Sequence, residues 1–448
     1  IIGFDMQATP QQLINHSPMS PAQIVVTLLG VFLFALDGFD VMAISFAAPG
    51  IATEWGIDRA ALGIVLSMEL IGMSVGSILI GGLADKYGRR QAIFGCLLIM
   101  GVGMGLTASA NSVYSLSLLR FITGIGIGGL LPAVAAIVPE FANDKRRAML
   151  VSFAASGFSL GTVLGGMAVT QLLQEYTWRS IFVFGASATL VAIPLVYFLL
   201  PESIAYLTQS RRSDALQRVN EVLGRLRLQA VDALPVLEKK EEESGISWLN
   251  LFKGEHLLAT ICLALCYLGH MMTFYFIVKW TPKIVVDMGY PAAQAGQVLI
   301  WASVGGFLGS LLFGTFSRWV SPKNLTYVML VMSIVSVIAF GNAGNEIGTL
   351  SIIAFVAGLF TTSAVAGFYT LMADAFSTDV RASGTGFVIG VGRSGAALSP
   401  IVAGVLFAAG SGLSTVAFLM ACGSVLAIVA ITVLASRQRQ QTAVAAKF

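Results

Sequence analysis

Two acidic residues lie three positions apart in the middle of the first apolar segment of the chain. Asp37 and Asp40 occur in the run Phe-Leu-Phe-Ala-Leu-Asp-Gly-Phe-Asp-Val-Met. A charged side chain at mid-bilayer depth costs roughly 2.5–3.5 kcal/mol on insertion scales, so buried acids need a partner, a proton or a water-filled cavity. The spacing places both carboxyl groups on nearly one helix face, where burial and mutual repulsion favour the protonated form. The pair therefore predicts a transport site in which at least one carboxyl group binds and releases a proton.

The composition indicates that membrane helices position these acids. Of 448 residues, 56% are hydrophobic and 11% are charged, and the mean hydropathy is +0.84, which excludes an ordinary soluble protein. Most apolar runs are near the roughly 20 residues needed to span hydrocarbon. They predict an all-α membrane protein with twelve transmembrane helices in two six-helix bundles. The expected spans lie near 24–47, 61–84, 92–110, 113–138, 150–173, 180–200, 256–280, 293–317, 324–342, 349–373, 383–408 and 413–436.

A long polar stretch divides the spans into equal groups. The expected segments are a cytoplasmic N-terminal segment, a first bundle, a linker with amphipathic helices on the membrane surface, a second bundle and a cytoplasmic tail: 1–23, 24–200, 201–255, 256–436 and 437–448. The halves also match at a fixed offset of 235, as Arg146 and Arg381 do in the loops before spans five and eleven. Two six-helix repeats with a site between them are typical of an alternating-access transporter.

The distribution of basic residues predicts the orientation. Of 26 Lys and Arg residues, 20 lie on the side that holds both termini and the linker. Four lie on the other side, namely Arg59, Arg179, Lys279 and Lys283. The positive-inside rule then places both termini in the cytoplasm, and we expect a multi-pass protein of a bacterial cytoplasmic membrane. The net charge of +3 reflects this bias and gives no support for nucleic-acid binding.

The loop after span two resembles the signature of the major facilitator superfamily. It reads Gly-Gly-Leu-Ala-Asp-Lys-Tyr-Gly-Arg-Arg over residues 81–90. The resemblance implies roles in state control rather than substrate binding for the residues of this loop and of the loops before spans five and eleven, which match each other in the two halves. These gating residues are Gly81, Asp85, Gly88, Arg89, Arg90, Glu140, Arg146 and Arg381.

Span four begins with a second motif similar to one of the superfamily, Arg-x-x-x-Gly-x-Gly from Arg120. A buried arginine needs an acidic partner. Glu69 of span two lies at nearly the same depth, and Asp37 is the other candidate. A structural ion pair and a role in proton relay, together with Asp37 and Asp40, both remain open for Arg120 and Glu69. In span five, glycines at 157, 161, 165 and 166 predict close helix packing.

A narrower resemblance joins Leu-Asp-Gly-Phe-Asp at 36–40 with Trp-Gly-Ile at 55–57, Pro-Glu-Ser at 201–203 and Gly-Val-Gly-Arg at 390–393. These segments are similar to the aromatic acid:proton symporter family, whose members import compounds such as 4-hydroxybenzoate, protocatechuate and benzoate. The resemblance implies proton-coupled import of a small aromatic carboxylate across the lipid bilayer by a monomer. It implies neither an enzyme nor a cofactor, and the sequence offers no metal-ligand cluster.

An aromatic carboxylate needs a cation and a flat apolar slot. Arg393, near the middle of span eleven, is the best candidate because its planar fork can hold a carboxylate with two hydrogen bonds. Its repeat equivalent is Phe158, so the architecture does not require the charge. For His270 of span seven, a hydrogen bond to the substrate and a buried neutral imidazole are equally open. Candidate slot residues are Tyr267, Phe274, Trp301, Phe368 and Tyr369.

Two other functions fit parts of the sequence. A sugar or polyol symporter suits the Pro-Glu-Ser linker motif, but such carriers need amide side chains, and spans seven, ten and eleven contain no Asn or Gln. A non-transporting receptor or a membrane enzyme is the other alternative, and the sequence shows no nucleophile with a base to support catalysis. The paired acids and Arg393 favour transport of an organic anion.

Overall fold

The chain folds into α-helices in a computed structural model that describes residues 9–210, 213–235, 251–252, 256–376 and 381–445. Within these ranges, the side chains of residues 81, 82, 85, 148, 381, 382 and 438–445 lie outside the description. Every regular element in the described part is helical. This follows from the apolar surroundings, because hydrocarbon offers no partner to backbone groups and a helix satisfies them internally.

Twelve of the described helices are long and apolar enough to cross a membrane, as the sequence predicts. The first six are α2 (Pro21–Trp55), α3 (Arg59–Tyr87), α4 (Arg89–Thr107), α5 (Val113–Glu140), α6 (Arg147–Glu175) and α7 (Arg179–Leu199). The second six are α10 (His256–Asp287), α11 (Ala292–Phe316), α12 (Pro322–Gly341), α13 (Ile347–Ala375), α14 (Arg381–Ala408) and α15 (Leu413–Ala445). Three short helices lie outside the spans in the described part of the chain, namely α1 (Pro10–His16), α8 (Ile204–Gln209) and α9 (Ala215–Arg225).

Several spans are longer than their apolar runs. The first expected span ends near residue 47, whereas α2 continues to Trp55 and stops where Gly56 adopts φ +59°. At its start, the Ser20 side chain accepts a hydrogen bond from the Gln23 N–H and Pro21 occupies the first turn. Capping residues rather than hydropathy therefore set both ends of α2. The last helix likewise runs through the expected tail to Ala445.

The two halves repeat one packing pattern. In the first half α2 packs on α6 and α3 on α5, and in the second half α10 packs on α14 and α11 on α13. Glycine permits the closest approach: a Cβ atom at Gly161 would lie 1.8 Å from the Ala35 carbonyl oxygen, and one at Gly38 would lie 2.0 Å from that of Phe158. The predicted close packing of span five is therefore confirmed.

The halves meet through α3 with α14, α6 with α11 and α2 with α10. An even number of spans puts both ends of the chain on one side, here named the terminal side, and the opposite side is named the far side. On the far side, Arg59 pairs with Asp287 at 2.9 Å, and a Cβ atom at Gly63 would lie 2.4 Å from the Pro400 carbonyl oxygen. Nearer the terminal side, Gly386 and Gly390 have no neighbouring atom within 4 Å of such a Cβ position. The halves are thus closed together on the far side.

Candidate functional site

Asp37 and Asp40 lie at mid-height on α2 and are 1% and 0% exposed, respectively. A Cβ atom at Gly185 of α7 would lie 3.3 Å from Asp40 Oδ1, so α7 packs directly against this acid. Among the described residues, none of the four carboxyl oxygens has a hydrogen-bond partner. Asp37 interacts electrostatically with Arg393 and Glu69, and Asp40 interacts with Arg120, Glu69 and Asp37. Buried polar groups are normally paired, so two carboxyl groups without a hydrogen-bond partner mark this position as a candidate site.

Arg120 and Glu69 form a buried ion pair within the first half. The Arg120 Nη2 atom lies 2.8 Å from Glu69 Oε2, and both side chains are 0% exposed. The Arg120 guanidinium also donates to the Asp40 carbonyl oxygen at 3.3 Å and lies 5.3 Å from the centre of the Phe182 ring. Of the two partners expected from the sequence, the structure pairs Glu69 with Arg120.

Lys279 is a second cation at this carboxylate, and the sequence-based assignment of Lys279 to the far-side surface is wrong. Its side chain is 0% exposed, and the Nζ atom lies 3.8 Å from Glu69 Oε2. The ammonium group donates to the Val41 carbonyl oxygen at 2.5 Å. The error arose because α10 continues to Asp287, seven residues beyond the expected end of span seven, which places Lys279 inside the helix bundle.

Arg393 reaches from the second half into the first. Its Nη1 atom donates to the Met73 carbonyl oxygen on α3 at 3.1 Å, and its charge interacts with Asp37 on α2 and Tyr275 on α10. The structure therefore brings the predicted carboxylate-binding cation to the interface of the halves, within electrostatic range of one of the predicted proton-binding acids.

Three of the predicted slot residues, together with His270, form one cluster between α10 and α13. The Tyr267 ring packs edge-on against Phe368 at 5.6 Å, and its hydroxyl group lies 3.3 Å from that of Tyr369. His270 packs against Phe368 at 5.3 Å. Within α14, Gly392 makes room for this cluster, because a Cβ atom there would lie 1.9 Å from the Tyr267 ring.

His270 has the geometry of a buried neutral imidazole. Its Nε2 atom lies 2.9 Å from the Thr361 carbonyl oxygen and its Nδ1 atom lies 2.9 Å from Ser424 Oγ. Because a carbonyl oxygen only accepts, Nε2 carries the hydrogen and Nδ1 accepts from the serine hydroxyl group in the neutral ring. Both ring nitrogens are thus satisfied by neighbouring helices.

Phe274 and Trp301 lie apart from this cluster. Phe274 lines a cavity of about 70 Å³ between the halves, together with Met42 of α2 and Thr162 of α6. The Trp301 side chain is 50% exposed and packs against Phe355. The structure therefore places Phe274 between the halves and Trp301 on the outside of the bundle.

The predicted gating residues of the first half meet at the terminal side. Arg89 forms an ion pair with Glu140, whose Oε2 atom accepts a hydrogen bond from Ser203 Oγ at 2.6 Å. The Arg90 N–H donates to Glu202 Oε1 at 3.1 Å.

The other predicted gating residues are placed by the backbone or lie outside the described side chains. The turn at Gly88 has φ +102°, a value that favours glycine. Arg146 is exposed in the loop before α6. Gly81, Asp85 and Arg381 lie in described helices, but their side chains lie outside the description.

Sequence reasoning did not include Lys279 and Tyr275 in the site. Tyr275 interacts electrostatically with Arg393 and Asp37. The sequence pattern could have pointed to Tyr275, because this residue lies within the aromatic run Phe-Tyr-Phe at 274–276. Lys279 stands four residues further on, one helical turn away on the same side of α10.

Two repeated six-helix bundles with ionisable groups buried between them define a membrane transporter of the alternating-access type. A family model described as the Major Facilitator Superfamily matches residues 30–345, and the chain belongs to that superfamily. It is a transporter rather than an enzyme.

Relatives with assigned functions cover most of the chain. The sequence is 29% identical to the 4-hydroxybenzoate transporter PcaK of Pseudomonas aeruginosa over 401 residues, which are 89% of this chain and 90% of the relative. It is 29% identical to the 3-(3-hydroxy-phenyl)propionate transporter of Escherichia coli, over 95% of this chain and 97% of the relative. The fold is similar to that of the inward open xylose transporter XylE from E. coli, with a TM-score of 0.70, 18% identity and coverage of 91% and 95% of the two chains.

Proposed function

We propose that the protein imports a small aromatic carboxylate together with protons across a bacterial cytoplasmic membrane. The observation that carries the proposal is that Arg393 reaches from the second half to the Met73 carbonyl oxygen of the first half, where its charge interacts with that of the buried acid Asp37, whose oxygens have no hydrogen-bond partner among the described residues. The names of the relatives support an aromatic acid as the substrate class. In this proposal the terminal side is cytoplasmic, the protein acts as a monomer, and it needs no cofactor.

Arg393 binds the substrate carboxylate in the proposed mechanism. In the present conformation one arm of its guanidinium donates to a neutral carbonyl oxygen, that of Met73. A carboxylate is a stronger acceptor and matches the planar fork with two hydrogen bonds. The substrate therefore replaces a weak contact between the halves with a stronger contact of its own.

Proton coupling follows from the same geometry. While Arg393 is free of substrate, its charge offsets that of Asp37. A bound carboxylate takes up that positive charge, and Asp37 then becomes an uncompensated buried charge, which costs several kcal/mol. Taking a proton removes this cost, so substrate and proton bind together. Asp40, which shares Arg120 with Glu69, is the second proposed proton site.

The cluster between α10 and α13 supplies the remaining contacts. The Tyr267 and Phe368 rings provide apolar faces near Arg393, and the hydroxyl pair of Tyr267 and Tyr369 offers donors and acceptors for a ring substituent. Phe274 lines the cavity between the halves and contributes a further apolar surface. We assign His270 a structural role, since both of its nitrogens are occupied, and Trp301 no role in binding, since it faces outward.

The test is uptake of radiolabelled 4-hydroxybenzoate by cells that express the protein, compared with cells carrying an empty vector. We expect accumulation that collapses when an uncoupler is added. Benzoate should compete, whereas glucose and the amide and methyl ester of 4-hydroxybenzoate should not, because recognition requires the anion. Strong competition by hexoses, or equal competition by acid and amide, would refute the proposal and favour a sugar or polyol symporter. Binding without any flux would indicate a receptor.

A further inference from the structure

The contacts of Lys279 link the two halves of the transporter. Lys279 belongs to α10 of the second half, and its Nζ atom contacts Glu69 of α3 at 3.8 Å and the Val41 carbonyl oxygen of α2 at 2.5 Å. By contrast, Glu69 and Arg120 both belong to the first half, where a Cβ atom at Gly124 would lie 2.2 Å from the Glu69 carbonyl oxygen. When the halves separate, Glu69 therefore keeps Arg120 and loses Lys279.

The buried charges are divided unequally between the halves. The first half contributes three acids and one cation, namely Asp37, Asp40, Glu69 and Arg120. The second half contributes the cations Lys279 and Arg393. In the closed conformation, acids and cations offset one another across the interface. Opening the far side leaves the cations of the second half without these partners, and buried or half-buried cations then attract an anion.

Lys279 also lies on α10 between the far-side end of the helix and Tyr275, which interacts electrostatically with Arg393. Lys283, one turn further toward the far side on α10, is partly exposed and pairs with Asp287, which in turn pairs with Arg59. Lys279 follows at greater depth and is completely buried. An anion that enters when the Arg59–Asp287 contact opens meets these cations in order before it reaches Arg393.

We propose that Lys279 is an additional substrate-binding cation, which pairs with Glu69 while the far side is closed and with the carboxylate of the entering substrate when that side is open. This inference rests on the proposed function, because it needs an anionic substrate. Glu69 competes with the substrate for Lys279. Glu69 can release Lys279 at a low cost because Arg120 remains its partner, with Arg120 Nη2 at 2.8 Å from Glu69 Oε2.

The experiment is equilibrium binding of radiolabelled 4-hydroxybenzoate to purified protein in nanodiscs. The variants are Lys279→Met, Lys279→Arg, Glu69→Gln and the double variant Glu69→Gln with Lys279→Met. Lys323→Met, at the start of α12 on the terminal side, is the matched control and should bind like the wild type. We expect Lys279→Met to weaken binding by about tenfold, the loss typical of one charge-assisted contact, and Lys279→Arg to retain most of the affinity.

The competition between Glu69 and substrate gives the sharper result. We expect Glu69→Gln to tighten binding severalfold, because Lys279 is then free for the carboxylate, and the double variant to bind as weakly as Lys279→Met. Tightening that persists in the double variant would mean that Arg120, and not Lys279, attracts the anion. Unchanged affinity in both Lys279→Met and Glu69→Gln would mean that Lys279 and Glu69 form a structural pair only. Either result overturns the inference.

Two further outcomes are distinguishable. If Lys279→Met does not yield monodisperse protein, Glu69→Gln is compared with the double variant, and either the absence of tightening in Glu69→Gln or tightening that persists in the double variant overturns the inference. If the wild type binds neither 4-hydroxybenzoate nor benzoate, the proposed function itself fails.

Discussion

Replacing Arg393 by lysine tests carboxylate recognition while keeping the positive charge. The guanidinium of Arg393 reaches across the interface and donates to the Met73 carbonyl oxygen at 3.1 Å, so its position in the site is fixed from both halves. Lysine presents one compact ammonium group instead of a planar fork and cannot form the paired hydrogen bonds.

The expected loss is that of one hydrogen bond to a charged group, about 1.5–3 kcal/mol. This corresponds to a dissociation constant raised by about tenfold to a hundredfold. The assay is binding of radiolabelled 4-hydroxybenzoate to purified Arg393→Lys protein, with its elution profile compared with that of the wild type to show intact folding.

Arg179→Lys is the matched control. Arg179 forms an ion pair with Glu54 at 2.6 Å near the far-side surface, where such pairs contribute about 0–1 kcal/mol. The control should bind substrate like the wild type. Equal affinity in Arg393→Lys and the wild type would refute the role of the fork and leave Arg393 as a structural contact between α14 and α3.

The remaining predictions concern coupling and packing. Asp37→Asn and Asp40→Asn should each abolish uphill accumulation, because neither amide can exchange a proton. If both variants still accumulate substrate with normal uncoupler sensitivity, the assignment of these acids as proton sites is wrong. Counterflow of labelled substrate will show whether the variants still exchange substrate across the membrane. Gly161→Ala should abolish stable expression, measured by fluorescence-detected size-exclusion chromatography, because the new methyl group would overlap the Ala35 carbonyl oxygen. Gly95→Ala, which has open space around it, should express normally, and equal expression of the two variants would refute the packing argument.

The number of spans and the repeat of the halves could be predicted from the sequence, because a membrane helix requires a long apolar run. The pairing of Arg120 with Glu69 was also within reach, since buried charges at one depth need each other. The close packing of α6 on α2 followed from glycines at four-residue spacing. These features depend on the depth of a residue in the membrane and on the spacing of residues along one helix, and both can be read from the sequence.

The positions of Lys279 and Trp301 could not be predicted in the same way. Membrane helices are apolar on most faces, so hydropathy does not show which face turns toward the other half and which toward lipid. Lys279 lies near the expected end of span seven, and its burial depends on the further extension of α10 to Asp287. Trp301 has the depth of a slot residue but faces outward. Both depend on how the halves pack together.

The most direct test of the central claim measures proton and substrate movement in the same sample. Purified protein is reconstituted into liposomes loaded with a pH-sensitive dye, without an imposed gradient, and labelled 4-hydroxybenzoate is added outside. The proposal predicts that the lumen acidifies as label enters, and that Asp37→Asn liposomes show no acidification. Entry of label into wild-type liposomes at an unchanged internal pH, beyond the leak of protein-free liposomes, would contradict proton-coupled transport.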